Sequence, residues 1–277
     1  MSTKTRHLDL YSKCKRMIAF IYEPSQIGDG TPTEEDYPEG TGFMFAFPLE
    51  GRTVFYVITN KHVLLKKESG SAERSSNQRV FIRFNNREDT AGLFEKVDLL
   101  FSGPYQNVWQ HSNQAVDLAA IEVSFLPDVL PEGFTEKNVH SQELFSLSVG
   151  DPACSIGYLS GYAGKAKMYP VVRFGRIALL SDETWFSSDR DKSTPEQAYL
   201  AEFQAVGGAS GSPVILDVPQ RPDVPVIIGV IKAAMKSRGL DASAREAQGL
   251  VAVEPPEHLL SLVQELKQFV ASKLEKG

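Results

Sequence analysis

Long apolar runs are missing from this 277-residue chain. None approaches the 18 or so residues that a membrane-spanning helix requires, and the longer ones, such as Val226–Ile231, suit buried strands. Cysteine is scarce as well. The two present, Cys14 and Cys154, form neither a CxxC pair nor a metal-ligand spacing, so two buried free thiols are expected. The opening residues, MSTKTRHLDLYSKCKR, lack the apolar segment of a signal peptide. With so little cysteine, this points to a reducing, cytoplasmic setting and no membrane association. An excess of positive charge is also absent. The net charge is −6 and the 29 Lys and Arg residues are dispersed, which leaves no footprint for nucleic acid or an anionic membrane. There is no phosphate loop, nucleotide fingerprint, metal cluster, internal repeat or low-complexity tract, so no cofactor or metal is expected.

What the chain does contain is a series of short β-rich runs separated by Gly, Pro, Asp and Asn clusters, an all-β barrel or sandwich pattern. The first half predicts strands at Arg16–Tyr22, Gly42–Phe47, Thr53–Thr59, Arg79–Phe84, Lys96–Phe101 and Asp117–Val123. FPLEGRT reads as a hairpin turn between the second and third. After a Pro-marked connector, the second half predicts Asp151–Gly157, Pro170–Leu180, Ala198–Phe203, Pro213–Asp217, Val226–Ala233 and Gly249–Val253. The chain closes on a proline-started segment in which Leu259, Leu260, Val263, Leu266, Phe269, Val270 and Leu274 recur at helical spacing. That helix is expected to dock across the strands; binding a partner is the alternative.

One serine stands out. In AVGGASGSPVIL, Ser210 lies among small residues: Gly207 and Gly208 free the backbone before it, and Gly211 removes a side chain just after. The amides of Gly208 and Ser210 can then converge as an oxyanion hole. A serine hydroxyl needs an adjacent base, and that base needs an acid to hold its tautomer. Of the five histidines, only His62 ends a strongly apolar strand, TVFYVITNKHVL, where a turn lifts it to a barrel rim. His7 lies in a polar arm, His111 and His140 in polar loops, and His258 at a helix start. Asp117 sits where a polar loop turns into the apolar strand of NQAVDLAAIEV. Each has a plain structural reading alone: a packed strand end, a turn-capping aspartate, a Gly-rich turn. Together they stand in the His–Asp–Ser order of a chymotrypsin-type triad.

The blocks GTGFMFAF…FYVITNKHVL, DLAAIEV and GGASGSPV resemble those of trypsin-like serine peptidases. Within that group TNKHV, VGDPACSIGYLSG, RFGRIALLSD, VIIGVIKAA and GLVAVEPPEHLLSLVQEL are similar to the HtrA/Deg protease domain, over roughly Arg16 to the C-terminus. The resemblance implies two six-stranded antiparallel Greek-key β-barrels of the chymotrypsin type with a C-terminal α-helix. On that basis residues 1–13 form an arm, 14–126 a first barrel with His62 and Asp117, and 127–144 a linker. Residues 145–254 form a second barrel with Ser210, and 255–277 the helix. It also implies a cleft between the barrels where His62, Asp117 and Ser210 hydrolyse peptide bonds through an acyl-enzyme. Protein or peptide is then the substrate. The primary pocket falls to Gln204, Ala233, Ala234 and Gly249, and with no acid at its base a small or apolar P1 side chain is favoured.

The departures carry expectations of their own. No PDZ domain is expected after residue 277, so HtrA-style trimers are not implied and the oligomeric state stays open. Ala209 stands where trypsin zymogens have an aspartate that accepts a new N-terminus, and no Ile-Val-Gly-Gly start exists. Activation by that cleavage is not expected. Loops 181–199 and 235–249 are expected to order the site when substrate or an activating protein partner binds. Lys232 falls where the family commonly has Ser or Thr near the catalytic aspartate. A lysine turned to solvent is the simpler expectation, and an ammonium competing with imidazole for Asp117 the alternative. Two rival functions remain. An α/β-hydrolase esterase would need Gly-x-Ser-x-Gly and a histidine after the serine, whereas Ser212 closes this motif and only His258 follows. A catalytically silent trypsin-fold scaffold keeps all three residues without an ordered oxyanion loop.

Overall fold

The structure is a computed structural model that describes residues 3–23, 36–49, 52–67, 74–76, 79–86, 88–123, 132–141, 146–180, 197–204, 207–217, 224–236 and 247–274. Helix α1 (Thr3–Arg16) leads into β1 (Ile18–Tyr22), β2 (Gly40–Leu49) and β3 (Arg52–Thr59). A four-residue helix, α2 (Lys61–Leu64), follows at once, then β4 (Leu65–Lys67), β5 (Arg74–Ser76), β6 (Arg79–Asn85), β7 (Gly92–Asp98), β8 (Val108–Gln110) and β9 (Ala119–Val123). The second half holds β10 (Pro152–Gly157), β11 (Val171–Leu179), β12 (Tyr199–Glu202), β13 (Pro213–Leu216), β14 (Val226–Lys236) and β15 (Ala247–Glu254), and closes with α3 (Pro256–Leu274).

The fold is that expected of two antiparallel barrels and a C-terminal helix. The second barrel is closed by six strands in the order β10-β11-β12-β15-β14-β13. The first is a half-barrel. Its sheet runs β7-β6-β1-β2-β3-β9-β8, so it carries seven strands rather than six and stays open between β7 and β8. Strand β8 pairs only with β9 and is three residues long, too short for its pattern to register in the sequence. Strand β7 begins four residues earlier than Lys96. The Asn86 side chain accepts the N–H groups of Thr90 and Ala91, and this turn starts the return strand at Gly92, opposite Asn85. The expected N-terminal arm is largely helical, in α1. The expected boundaries at 126/127 and 144/145 lie outside the described residues.

Side chains alternate across a strand, and here the alternation sorts residues into separate cores. On β1–β3, Ala19, Ile21, Met44 and Val57 point into the first barrel, while Phe20, Tyr22, Phe43, Phe45, Tyr56 and Ile58 face the other way. Val214, Leu216, Ile228 and Val253 fill the second barrel. The outward aromatic face of the first barrel joins Ile156, Ile215, Ile227 and Val230 of the second in one continuous core. Leu259, Leu262, Val263, Leu266 and Val270 of α3 complete it, at helical spacing, so the apolar stripe of α3 is covered within the chain. No described helix is long and apolar enough to cross a membrane.

Candidate active site

Strand β3 pairs with β2 on one side and β9 on the other, which brings its C-terminal end beside the loop that enters β9. Immediately after it, α2 presents His62. The imidazole Nδ1 lies 2.6 Å from Asp117 Oδ2, and the His62 backbone N–H donates to Asp117 Oδ1 at 3.1 Å. The buried Asn60 side chain donates to the Asp117 carbonyl at 2.7 Å, so the residue between β3 and α2 also fixes the peptide after Asp117. Burial by itself would raise the Asp117 carboxyl. The hydrogen bonds and charge of His62 and the charge of Lys232 outweigh it and hold the group below the ordinary carboxylate value. With Nδ1 donating to that carboxylate, the neutral imidazole keeps a lone pair on Nε2, ready to take a proton.

The loop that carries Ser210 is fastened to the first barrel through Thr41, a fully buried residue of β2. Its N–H donates to the Ser210 carbonyl at 2.8 Å and its hydroxyl to the Gly208 carbonyl at 2.9 Å. The same hydroxyl accepts the Tyr158 N–H at 3.0 Å, and the Thr41 carbonyl accepts the Thr59 hydroxyl at 2.7 Å. Glycine is required at 211: its φ is +84°, and a Cβ there would sit 1.9 Å from the Thr41 carbonyl oxygen. Gly208, at φ +82°, has the ring of Tyr158 2.2 Å from where a Cβ would be. Ala209 is buried among the second-barrel core residues. Ser210 is half-buried, and its hydroxyl donates to the Lys232 carbonyl at 3.2 Å.

Lys232 is not turned to solvent. Its side chain is only 12% exposed and its ammonium pairs with the Glu254 carboxylate, Nζ to Oε1 3.1 Å, while Glu254 is fully buried. The other Glu254 oxygen meets His258 Nδ1 at 2.7 Å, and Oε1 also accepts the Asp117 N–H at 2.9 Å. The physical reason is the neighbourhood: a buried carboxylate needs a paired cation and satisfied lone pairs, and Lys232 supplies the first. His111 and His140, read as loop residues, are buried too. The His111 ring packs edge-on to His258 at 6.1 Å between centroids, and burial holds it below the usual imidazole range. Sequence reasoning assigned no role to Thr41 or Glu254. Thr41 lay inside the quoted GTGF block, whereas Glu254 gave no signal beyond a charge at a strand end.

Of the expected pocket residues, Gln204 and Gly249 come together at a cavity of about 710 Å³ on the second barrel. Arg176, Glu202 and Asp217 also line it, so the cavity holds acidic groups, with Arg176 directly across from Glu202 in the β11/β12 register. Ala233 and Ala234 lie on β14, opposite Ala252 and Val251 of β15, and do not line it; nor do His62 or Ser210. Loops 181–196 and 237–246, the greater part of the two expected ordering loops, lie outside the described residues.

Solved structures with this fold cover nearly the whole chain at low identity. The MamO protease domain from Magnetospirillum magneticum is 15% identical, with a TM-score of 0.51 over 91% of this chain and 98% of its own. Deg5 is 16% identical, with a TM-score of 0.50 over 94% and 93%. The HtrA-type protease AlgW, solved with a decapeptide, is 17% identical, with a TM-score of 0.53 over 93% of this chain and 67% of its own. No curated protein matches the chain. Residues 40–218, from the first residue of β2 to just past β13, match the trypsin-like peptidase domain. That match spans well over half of the sequence and includes His62, Asp117 and Ser210, and the chain belongs to the trypsin-like peptidase family.

Proposed function

We propose that the chain is a serine endopeptidase in which His62, Asp117 and Ser210 form the triad. The observation that carries this reading is the 2.6 Å contact of His62 Nδ1 with Asp117, on a fold of the peptidase family. Ser210 Oγ attacks the scissile carbonyl carbon while His62 Nε2 takes its proton. The carbonyl oxygen becomes an oxyanion facing the amides of Gly208 and Ser210. The C–N bond breaks, Nε2 hands its proton to the leaving amine, and water releases the acyl group by the same route. The Ser210 hydroxyl turns from the Lys232 carbonyl toward His62 Nε2 for this step, and Ala209, in place of the aspartate of trypsin zymogens, is the basis for reading the enzyme as a regulated one. Ordering by substrate or an activating protein partner, rather than zymogen cleavage, supplies that step. A regulated processing role in the cytoplasm follows from that reading, and the two buried free thiols, Cys14 and Cys154, favour the compartment. The proposed P1 preference is for a small or apolar side chain; Ala233 and Ala234 do not share the cavity of Gln204 and Gly249, so those four residues do not form one pocket.

The test is covalent labelling by a fluorophosphonate probe together with hydrolysis of a peptide library. Wild type labels, Ser210→Ala does not, and Ser210→Ala or His62→Ala lowers turnover by roughly 10⁴ or more. A loss under about tenfold means that the residues are misassigned. The Ser210 hydrogen bond to Lys232 also favours a second reading, a silent trypsin-fold binding module. Absence of labelling with and without cognate partners selects that reading. New protein N-termini that appear in cells with wild type and not with Ser210→Ala identify the substrates.

A further inference from the structure

Behind the His62–Asp117 pair lies a second set of charges that the proposed mechanism does not use. Asp117 is clamped from two sides: Asn60 of the first barrel holds its carbonyl, and Glu254 of the second barrel holds its N–H at 2.9 Å. Glu254 ends β15, one residue before the proline that precedes α3, and none of its surface is exposed. It is compensated on both oxygens, by Lys232 at 3.1 Å and by His258 at 2.7 Å. Lys232 in turn meets the site at both its ends. Its carbonyl receives the Ser210 hydroxyl, and its ammonium lowers Asp117 by charge.

We propose that Glu254 is a positioning residue for the triad, holding the Asp117 backbone from the second barrel and cancelling the Lys232 ammonium that would otherwise weaken the imidazole as a base. This rests on reading His62 and Asp117 as the base and its carboxylate partner. The groups that face the cluster are Lys61 on α2, His111 before β9, Lys232 on β14, and His258 and Glu265 on α3. Lys61 is occupied with the carbonyls of His111 and Asn113. Glu265 takes the N–H and hydroxyl of Ser112, and His111 Nδ1 accepts the Asn113 N–H. That leaves the Lys232–Glu254 pair as the charges nearest Asp117 on the second-barrel side. In an interior of low effective dielectric, removing one member leaves the other acting on the imidazolium.

The experiment titrates the His62 ring by NMR with labelled histidine, assigned through His62→Gln, in four proteins: wild type, Glu254→Gln, Lys232→Met and the double variant. Glu254→Gln keeps an acceptor for the Asp117 N–H and deletes the charge, so the His62 midpoint moves to lower pH. Lys232→Met moves it to higher pH, each by about half a unit to one unit, and the double variant returns close to wild type. The acidic limb of kcat/KM moves with it. Midpoints in the two single variants that stay together with wild type overturn the proposal, because a merely structural role lowers stability without moving them. If Glu254→Gln does not fold, the direction of the Lys232→Met shift decides. In wild type the Asp117 amide proton is shifted downfield and protected from exchange; a fast-exchanging amide overturns the clamp without any variant. A wild type that shows these shifts but neither labels nor cleaves peptide refutes the enzymatic reading and leaves the positioning intact.

Discussion

Replacing Thr41 by valine removes one oxygen and leaves the shape unchanged, yet it should disturb the Ser210 loop from the far barrel. The hydroxyl serves two partners. The Tyr158 N–H, which donates to it at 3.0 Å in a buried setting, is left without an acceptor. An orphaned buried donor costs about 1–3 kcal/mol. The Gly208 carbonyl, which accepts from it at 2.9 Å, is only part-buried and regains water, so its loss is nearer the net value of about 1 kcal/mol. The sum is about 2–4 kcal/mol, which for a domain of this size lowers Tm by roughly 5–15 °C. Thr41→Ser keeps the oxygen and loses one methyl group, about 1 kcal/mol. Thermal unfolding of the three proteins measures the difference, and fluorophosphonate labelling reads the loop: Val labels more slowly than Ser at a temperature where both are folded. Equal melting of the Val and Ser variants, within about 0.5 kcal/mol, would refute the argument that this hydroxyl ties the loop to β2.

The carboxyl of Asp117 is held below its ordinary value of 3.8, so the folded state binds fewer protons there than the unfolded chain. Its contribution to stability is complete above the ordinary carboxylate range and is lost as pH falls through the folded value. Denaturant unfolding against pH should therefore slope less steeply below about pH 4 in Asp117→Asn than in wild type; equal slopes contradict this. Burial pushes the Cys14 thiol up to about 12 and raises Cys154 as well. An aromatic disulfide reagent at pH 8 should find neither thiol in the native protein and both after denaturation, and rapid native reaction would show that α1 does not cover them. Leu266→Ala removes a fully buried side chain of α3 and should cost about 2–5 kcal/mol, measured by denaturant unfolding. A cost below about 1 kcal/mol would mean that the helix does not dock as described.

Elements with dense local signal were legible in the sequence. The apolar run of β3 ends in polar Asn60 and Lys61, so the place where His62 leaves the sheet could be read directly. The glycines around Ser210 announced a special backbone, and Gly208 and Gly211 do adopt positive φ. Helix α1 was missed because its sequence is mostly polar, with too few apolar positions to make a period; among its described side chains Leu10 and Cys14 are buried. The pairing of Lys232 with Glu254 and the cluster of Glu254, His258 and His111 escaped for another reason. Lys232 and His111 lie far from Glu254 and His258 in sequence, and only the closure of the second barrel and the docking of α3 bring them together. A buried charge pair is a property of the assembled fold, so no local pattern reports it. The shift of β7 came from one side chain, Asn86, whose turn geometry a count of apolar residues does not see.

The core that joins the aromatic face of the first barrel to Ile215, Ile227 and α3 has a consequence for how the molecule comes apart. Because that core is shared, parting the two halves would expose the outer face of each even with its own interior intact, and the two should melt as one cooperative unit. His62 and Asp117 then lie over the slowest-exchanging amides rather than over a hinge, and the frame beneath them moves as one body with both barrels.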